Sequence, residues 1–252
     1  MEFLLIGAAV GLFSGLFGIG GALLATPLLR LAGVEPLLAL ATPLPAIIPT
    51  ALSGIAAYWR HRLVDWGTSA GILLGGVPGT LLGALLTRWI GGSILMLLTG
   101  ALLLAVGLRF LWESWRGGDA SPAASAPPPL APSPLSLLGL GFGTGMVSGL
   151  LAIGGGIILV PVLTHGFGFP LKRALATSLV CVAGMALPGT VAHAWLGHVA
   201  PQVLLPFLLG SIPLAYLGGS LALVLSSRTL RLLYGSVVVA FALFFLWTQW
   251  RN

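Results

Sequence analysis

The chain has 252 residues, of which 58% are hydrophobic and only 6% are charged. Because an average soluble domain carries about 25% charged residues, this composition leaves too little polar surface for a water-soluble globule and predicts an all-α polytopic membrane protein. The formal net charge of +6 would suggest nucleic acid in a soluble chain, but here the basic residues lie at the ends of apolar segments, so we expect no nucleic-acid partner.

The first apolar segment is interrupted by glycines. Residues 3–17 are mostly apolar, Gly18-Ile19-Gly20-Gly21 follow, and a second apolar run continues to Leu31. As helices these arms would be about 22 Å and about 16 Å long. Neither comfortably crosses a hydrocarbon core of about 30 Å, yet end to end they overshoot it. We therefore expect a broken, re-entrant helical hairpin with the glycines at its tip.

Three full transmembrane helices are predicted after this hairpin. The first opens with Ala39-Leu40-Ala41-Thr42 and ends at Trp59; its three prolines imply partly unwound backbone, which is tolerated only where protein or a cavity covers it. The other two run over residues 66–87 and 94–112. Residues 117–134, rich in Ala, Pro and Ser, predict a disordered linker between a first membrane repeat, 1–116, and a second, 135–252.

The second half repeats this plan. Gly154-Gly155-Gly156 interrupts the apolar run 135–166 to give a second hairpin, and Ala174-Leu175-Ala176-Thr177 opens a span that ends near Trp195. Two further spans, 203–225 and 230–250, close the repeat, with Pro213 in the place of Pro78. Ala152 stands where the first hairpin has Gly18, so we expect the second turn to begin later.

Tryptophans and basic residues mark the ends of the predicted spans. All eight tryptophans fall at such ends, as in the aromatic belts of membrane proteins. If each hairpin re-enters, one side of the membrane receives Arg60, Arg62, Arg109, Arg116, Lys172, Arg173, Arg228 and Arg231, and the other receives Arg30, Arg88 and Arg251. Since basic residues favour the cytoplasmic side, this bias favours inverted repeats with the linker in the cytoplasm.

The glycine turns predict an anion-binding site. A helix N-terminus presents unpaired N–H groups and an effective charge of roughly +0.5, and glycine lets backbone approach a ligand closely. Two such ends facing each other at mid-membrane would bind an oxyanion without a basic side chain in the hydrocarbon. The candidate substrate-binding residues are Ser14, Gly18, Gly20, Gly21, Thr42, Ser148, Gly154, Gly155, Gly156, Thr177 and Ser178.

Simpler roles stay open for several of these residues. Ser14 and Ser148 could instead bond a carbonyl one turn back in their helices, and Thr42 and Thr177 could cap or pack. The pairs Gly11/Gly15 and Gly145/Gly149 fit close helix packing equally well. The single cysteine, Cys181, excludes an internal disulfide and a multi-cysteine metal site, and we expect no metal or other cofactor. His193 is a weaker candidate for proton coupling.

Two related motifs carry a family resemblance. Gly-x-x-Ser-Gly-x-x-Gly-Ile-Gly-Gly begins at Gly11, and Gly-x-x-Ser-Gly-x-x-x-Ile-Gly-Gly-Gly begins at Gly145. Together with Pro27, Pro161 and the two Ala-x-Ala-Thr signals, they resemble the sulfite exporter TauE/SafE family of bacterial permeases. The resemblance implies a multi-pass transporter of the inner membrane for small sulfur-containing or carboxylated anions, such as sulfite or organosulfonates.

The expected activity is secondary transport by alternating access, in which one inverted repeat rocks against the other. The partners are then a small anion and the lipid bilayer, with a coupling proton or ion left open. A passive anion channel is the alternative. An intramembrane enzyme with Ser14 or Ser148 as nucleophile would need a base within hydrogen-bond reach. The histidines nearest in sequence, His61 and His165, lie at predicted span ends, so we expect no enzyme.

Overall fold

The structure, a computed structural model, describes residues 1–19, 21–115 and 132–251, and this part of the chain is helical throughout its regular elements. The helices are α1 (Glu2–Phe17), α2 (Ala22–Leu31), α3 (Pro36–Ala41), α4 (Leu44–Trp59), α5 (Trp66–Leu86), α6 (Gly92–Trp115), α7 (Pro134–Leu151), α8 (Gly156–Pro161) with the π-helical turn Val162–Gly166, α9 (Leu171–Trp195), α10 (Pro201–Val224) and α11 (Ser227–Arg251). The predicted all-α fold is confirmed.

Seven stretches of the described residues are long and apolar enough to cross a membrane: α3 with α4, α5, α6, α7, α9, α10 and α11. These are the six predicted full spans together with the longer first arm of the second hairpin. The chain is therefore a multi-pass membrane protein. Most of the predicted linker lies outside the described residues; at its end Pro134 already belongs to α7, where the Ser136 N–H donates to the Ser133 hydroxyl at 3.1 Å.

The two halves are interlocked, because the first helix of each hairpin packs along a helix of the other half. Helix α1 lies along α10, and α7 lies along α5. A Cβ on Gly11 or Gly15 would collide with the backbone of α10, and one on Gly145 or Gly149 with the backbone of α5. These four glycines therefore serve close helix packing, which was one of the two roles left open for them.

Counterpart helices of the two halves run antiparallel. The contacts that show this are Gly54–Leu179 and Gly189–Leu44 between α4 and α9, and Gly107–Val239 and Gly235–Leu111 between α6 and α11. Two repeats of the same orientation would place counterpart helices parallel, whereas inverted repeats require them to be antiparallel. This packing favours the predicted inversion, and how the two halves lie in a membrane stays a prediction.

The span with three prolines is broken where the sequence predicts unwound backbone. Helix α3 ends at Ala41 and α4 begins at Leu44, whereas its counterpart α9 runs unbroken past Ser178. Pro43 stands in the place of Ser178; it has no N–H to donate, and its ring clashes with the carbonyl four residues earlier. The span is thus broken in the first half, where Pro43 and Pro45 stand, and continuous in the second.

Asp65 fixes the start of α5 and ties it to α9. Its Oδ1 accepts the Thr68 N–H at 2.9 Å, and its Oδ2 accepts Nη2 of Arg173 at 2.6 Å. The Arg173 guanidinium also lies 4.9 Å from the ring centroid of Phe169. Burial alone would raise the pKa of Asp65, but the Thr68 N–H and the Arg173 guanidinium together hold it below its usual value.

Two replacements of Asp65 distinguish the contribution of the helix cap to stability from that of the ion pair. Asp65→Ala should lower the stability by about 1–2 kcal/mol, since it removes the cap. Asp65→Asn keeps a capping oxygen and should cost only about 0–1 kcal/mol, because the Arg173 side chain is 48% exposed and such pairs are weak. Thermal unfolding in detergent measures both, and equal losses would mean that the ion pair dominates.

The stability difference between the wild type and Asp65→Asn should depend on pH. Because the folded-state pKa of Asp65 is lowered, its stabilisation is fully present above the unfolded-state value of about 3.9 and is lost as the pH falls through the folded-state value. The wild type and Asp65→Asn should therefore converge in acid. A gap between them that is independent of pH would contradict this account.

Candidate functional site

Both hairpin tips are built from left-handed backbone. Gly18 (φ 66°) is the C-cap residue after α1, and α2 begins after Gly21 (φ 80°). In the second hairpin Ala152 (φ 52°) is the C-cap residue after α7, and α8 begins after Gly155 (φ 78°). Ala152 therefore occupies the same cap position as Gly18, and the expectation of a later second turn is wrong. The chain accepts alanine there although the left-handed conformation costs about 1–2 kcal/mol.

The two tips meet at the centre of the bundle. A Cβ on Gly156 would lie 2.7 Å from the Ile19 Cα and 2.9 Å from the Gly18 oxygen. Gly154 lies against Ile47 of α4 and against Val182, which is close to the middle of α9. The turn residues around these contacts are buried. The structure thus brings both turns together at mid-depth; Gly20 is outside the described residues.

At the start of the second arm of each hairpin, the backbone amides receive no hydrogen bond acceptor from an N-cap side chain. Gly21 and Gly155 are the N-cap residues of α2 and α8, and neither offers a side-chain acceptor. The Leu24 N–H donates to the Gly21 carbonyl at 3.1 Å, and the Ile158 N–H donates to the Gly155 carbonyl at the same distance. The amides ahead of these bonds are the unpaired donors that every helix N-terminus presents.

Ser14 and Ser148 lie beside these two N-caps. The Ser14 Cβ is 3.1 Å from the position that a Cβ on Gly21 would take, and the Ser148 Cβ is 3.5 Å from that of Gly155. Both side chains are buried, and neither hydroxyl has a hydrogen-bond partner among the described residues. The alternative bond to a carbonyl one turn back is therefore not made. A buried hydroxyl without a partner costs about 1–3 kcal/mol, so its retention in both halves calls for an explanation.

The other predicted hydroxyl donors have partners that join the halves. The Thr177 hydroxyl accepts the Asp65 N–H at 3.1 Å, and the Thr42 hydroxyl accepts the Ala200 N–H at 3.0 Å. Ser178 donates to the Gly18 carbonyl at 2.9 Å. These bonds give all three residues a structural role, and contact of Thr42, Thr177 or Ser178 with a ligand stays a prediction.

Sequence reasoning missed a pair of residues that cap the two hairpin helices. The Tyr58 hydroxyl donates to the Gly15 carbonyl at 2.9 Å, and Nε2 of His193 is 2.9 Å from the Gly149 carbonyl. Both carbonyls lie in the last turn of their helices, where no amide of the same helix follows to pair with them. Tyr58 and His193 are 135 positions apart, the offset of the sequence repeat, so the signal was present in the sequence.

The described basic residues gather at one end of the bundle. Arg173 meets Asp65 there, and Nζ of Lys172 donates to the Leu223 carbonyl at 2.5 Å. The residues near this end are Arg60, Arg62, Arg109, Lys172, Arg173, Arg228 and Arg231, and Arg30 and Arg88 lie near the other end. A cavity of about 390 Å³ beside Trp59 and Trp66 and one of about 480 Å³ beside Asp65 also open at the basic end. Glycine-turn residues line neither of them.

Comparison with known proteins gives one consistent result. The family model described as "Sulfite exporter TauE/SafE" matches residues 3–245. A probable membrane transporter protein of Xylella fastidiosa (strain Temecula1) is 32% identical over 98% of this chain and 94% of its own length. The probable membrane transporter protein YunE of Bacillus subtilis is 28% identical over 88% of this chain and 87% of its own. No solved structure matches the chain.

The two turns respond differently to a change of one methyl group. Gly18→Ala should destabilise the protein strongly, because the new Cβ would lie 2.6 Å from the Leu175 oxygen. Ala152→Gly should be nearly neutral, since relief of the left-handed conformation, about 1–2 kcal/mol, is offset by the greater freedom of glycine in the unfolded chain and the lost methyl burial. The yield of monodisperse protein and its thermal stability in detergent measure both changes. A tolerated Gly18→Ala would contradict the close approach seen at Leu175.

Proposed function

Because the chain belongs to the sulfite exporter TauE/SafE family, we propose that it is a secondary transporter of small anions, with sulfite and organosulfur anions as its substrates. The observation that carries this proposal is the pair of buried hydroxyls, Ser14 and Ser148, which lack partners beside the two uncapped helix starts. Both halves of the chain contain this arrangement, and the two turns that bear it touch.

The donors around the turns suit an oxyanion. The sulfite and sulfonate groups offer three oxygens that accept hydrogen bonds, whereas N–H and O–H groups donate them. Helix N-termini bind such groups through oriented amides and the helix dipole. No Lys or Arg contributes at the described turns, so the anion would be held by partial charges only. Binding of this kind is reversible, as transport requires.

The way in which the two halves pack around the turns supports alternating access as the mechanism. Each turn is packed by elements of the other half: Gly18 by Leu175, and Gly154 by Ile47. A tilt of one half relative to the other would open a path to the turns from one end at a time. The preference of basic residues for the cytoplasmic side assigns the basic end, and with it the linker, to the cytoplasm of a bacterial inner membrane.

Two other functions would use the same residues. A passive channel would need a continuous wet path, whereas the turn residues in the structure are packed and buried. A serine nucleophile would need a base bonded to its hydroxyl, and neither Ser14 nor Ser148 bonds to any described residue. The relatives' names as membrane transporters agree with transport rather than catalysis.

Serine-to-alanine variants test the site directly. Ser14→Ala and Ser148→Ala should leave the stability unchanged or slightly higher, because each removes a buried hydroxyl without a partner. If these hydroxyls donate to the anion, each change should weaken apparent affinity by about 10- to 100-fold, the worth of a hydrogen bond to a charged group. The measurement is exchange of labelled sulfite in proteoliposomes, with thermal stability measured alongside.

A matched control separates binding from folding. Ser178→Ala removes a hydroxyl that does have a protein partner, the Gly18 carbonyl, so it should lower stability. Gly155→Leu is expected to abolish transport, because any side chain is strained at φ 78°. Wild-type affinity in both Ser14→Ala and Ser148→Ala would rule out the proposed donors, and exchange in Gly155→Leu would rule out the turn.

Cysteine labelling tests the proposed orientation. In a Cys181→Ala background, Ala200 and Ser226 offer loop positions at opposite ends of the bundle. A membrane-impermeant thiol reagent added to whole cells should label Ala200→Cys and leave Ser226→Cys unlabelled until the cells are opened. The reverse pattern would place the basic end outside.

A further inference from the structure

We propose that His193 and His198 form a proton-carrying pair, which moves one proton between the water at the end of the bundle and the second glycine turn when an anion binds. This inference rests on the proposed transport function and assigns the coupling ion and its carriers. It stands on a chain of contacts that leads from a loop to the hairpin helix α7.

The contacts run inward from the loop 196–200 between α9 and α10. Nδ1 of His198, which is partly exposed, lies 3.2 Å from Nδ1 of His193. The His193 ring is fully buried in the last turn of α9, and its Nε2 lies 2.9 Å from the Gly149 carbonyl. Gly149 directly follows Ser148, the buried hydroxyl beside the second turn. The two rings thus join the aqueous end of the bundle to the proposed anion site.

The partners determine where the protons are. A carbonyl oxygen can only accept, so Nε2 of His193 must carry a hydrogen. When His193 is neutral its Nδ1 is therefore an acceptor, and the facing Nδ1 of His198 must donate. The two Nδ1 atoms share one hydrogen, which is the geometry required for its transfer from one ring to the other.

The transfer is balanced in protons and charge. A proton from water binds Nε2 of His198, and the hydrogen between the rings then moves from Nδ1 of His198 to Nδ1 of His193. His198 is left neutral, with its hydrogen on Nε2, and His193 becomes an imidazolium that donates from both nitrogens. The positive charge has advanced by one ring. Two imidazolium rings at this distance would repel each other, so the pair carries a single extra proton.

Few other titratable groups face His193. Within the helices packed against α9, namely α4, α5, α7 and α8 with its π-helical turn, the titratable side chains are Tyr58 and His165, and both lie toward the basic end. On α9 itself Lys172, Arg173 and Cys181 also lie away from His193. Among the side chains that the structure describes, the charged groups at its own end of the bundle are Glu2, Arg30, Glu35 and Arg88, together with the amino terminus at Met1. Burial lowers the pKa of His198, because it disfavours the charged ring.

Hydroxyls without partners continue the path inward. Thr190 lies three residues before His193 on α9, and its buried Oγ1 has no hydrogen-bond partner among the described residues. The Ser148 hydroxyl, on the other side of the His193–Gly149 bond, has none either. Polar atoms of this kind are sites where ordered water bridges buried groups. They are therefore placed to extend hydrogen bonding from the imidazole toward the turn.

The charge on His193 would favour an anion at the second turn, and the anion would in turn favour the charge, since coupling between two ligands is reciprocal. The proton and the anion then bind together, and a movement of the halves that carries both across the membrane would couple their transport. Tyr58, in the corresponding place of the first half, makes the same kind of bond to Gly15 but does not titrate near neutral pH. Coupling therefore belongs to the second half only.

The test uses the full chain in proteoliposomes with labelled sulfite. Two signals are compared: sulfite counterflow at equal pH on both sides, and sulfite accumulation driven by a pH difference, with protein-free liposomes giving the passive leak. His193→Gln keeps a side-chain N–H for the Gly149 carbonyl but cannot carry the charge. It should lose accumulation driven by the pH difference, while counterflow persists with a weaker apparent affinity, because the charge that favours the anion is absent. Tyr58→Phe removes the counterpart bond and should keep coupling.

The outcomes separate this inference from the transport proposal. Absence of counterflow in the wild type would contradict transport of sulfite itself. Counterflow without an effect of the pH difference in the wild type, or coupling that persists in His193→Gln, would overturn the inference alone. If His193→Gln also loses counterflow, His198→Gln decides, because its ring lies in the loop: loss of coupling there with counterflow intact supports the pair, and retained coupling overturns it.

Discussion

The structure depends on the need to satisfy backbone polar groups where no water is available. In a bilayer core each unpaired N–H or carbonyl is costly, so broken helices survive only where protein supplies their partners. Both hairpins break at mid-depth, and the freed groups are taken up nearby: Tyr58 and His193 serve the Gly15 and Gly149 carbonyls, and Ser178 serves the Gly18 carbonyl. The groups that stay without a protein partner then mark the place where a ligand is expected.

The interlocked packing makes each half a support for the other half's turn. Helix α1 lies on α10 and α7 lies on α5, with backbones brought together by glycines. The bonds from Asp65 to Thr177 and from Ala200 to Thr42 join the halves at the two ends of the bundle. A movement of one half would therefore change the surroundings of both turns together, which is the mechanical condition that the proposed alternating access requires.

Much of this could be predicted because the strongest signals are local. Glycine runs between short apolar arms predict broken hairpins, and three prolines predict partly unwound backbone in the span that breaks at Thr42 and Pro43, since these residues act through their own backbone. The meeting of the two turns also follows from a repeat with shared chemistry. What could not be predicted are the partners chosen across the bundle. Thr42 and Thr177 were open to a ligand or to a backbone N–H, and only the tertiary packing brings the Ala200 and Asp65 N–H groups to their hydroxyls.

The positions that differ between the two halves would set any preferred direction of transport. Two identical inverted halves would have inward-open and outward-open states of equal energy, so any bias must come from positions that differ. Pro43 breaks a helix where Ser178 continues one, Asp65 caps α5 where Ala200 leaves α10 without a side-chain cap, and Tyr58 stands in the place of His193. A ligand shifts an equilibrium only through its different affinity for the two states. An imidazole at this position in one half alone would let a proton act as such a ligand, and a pH difference across the membrane would then favour transport in one direction.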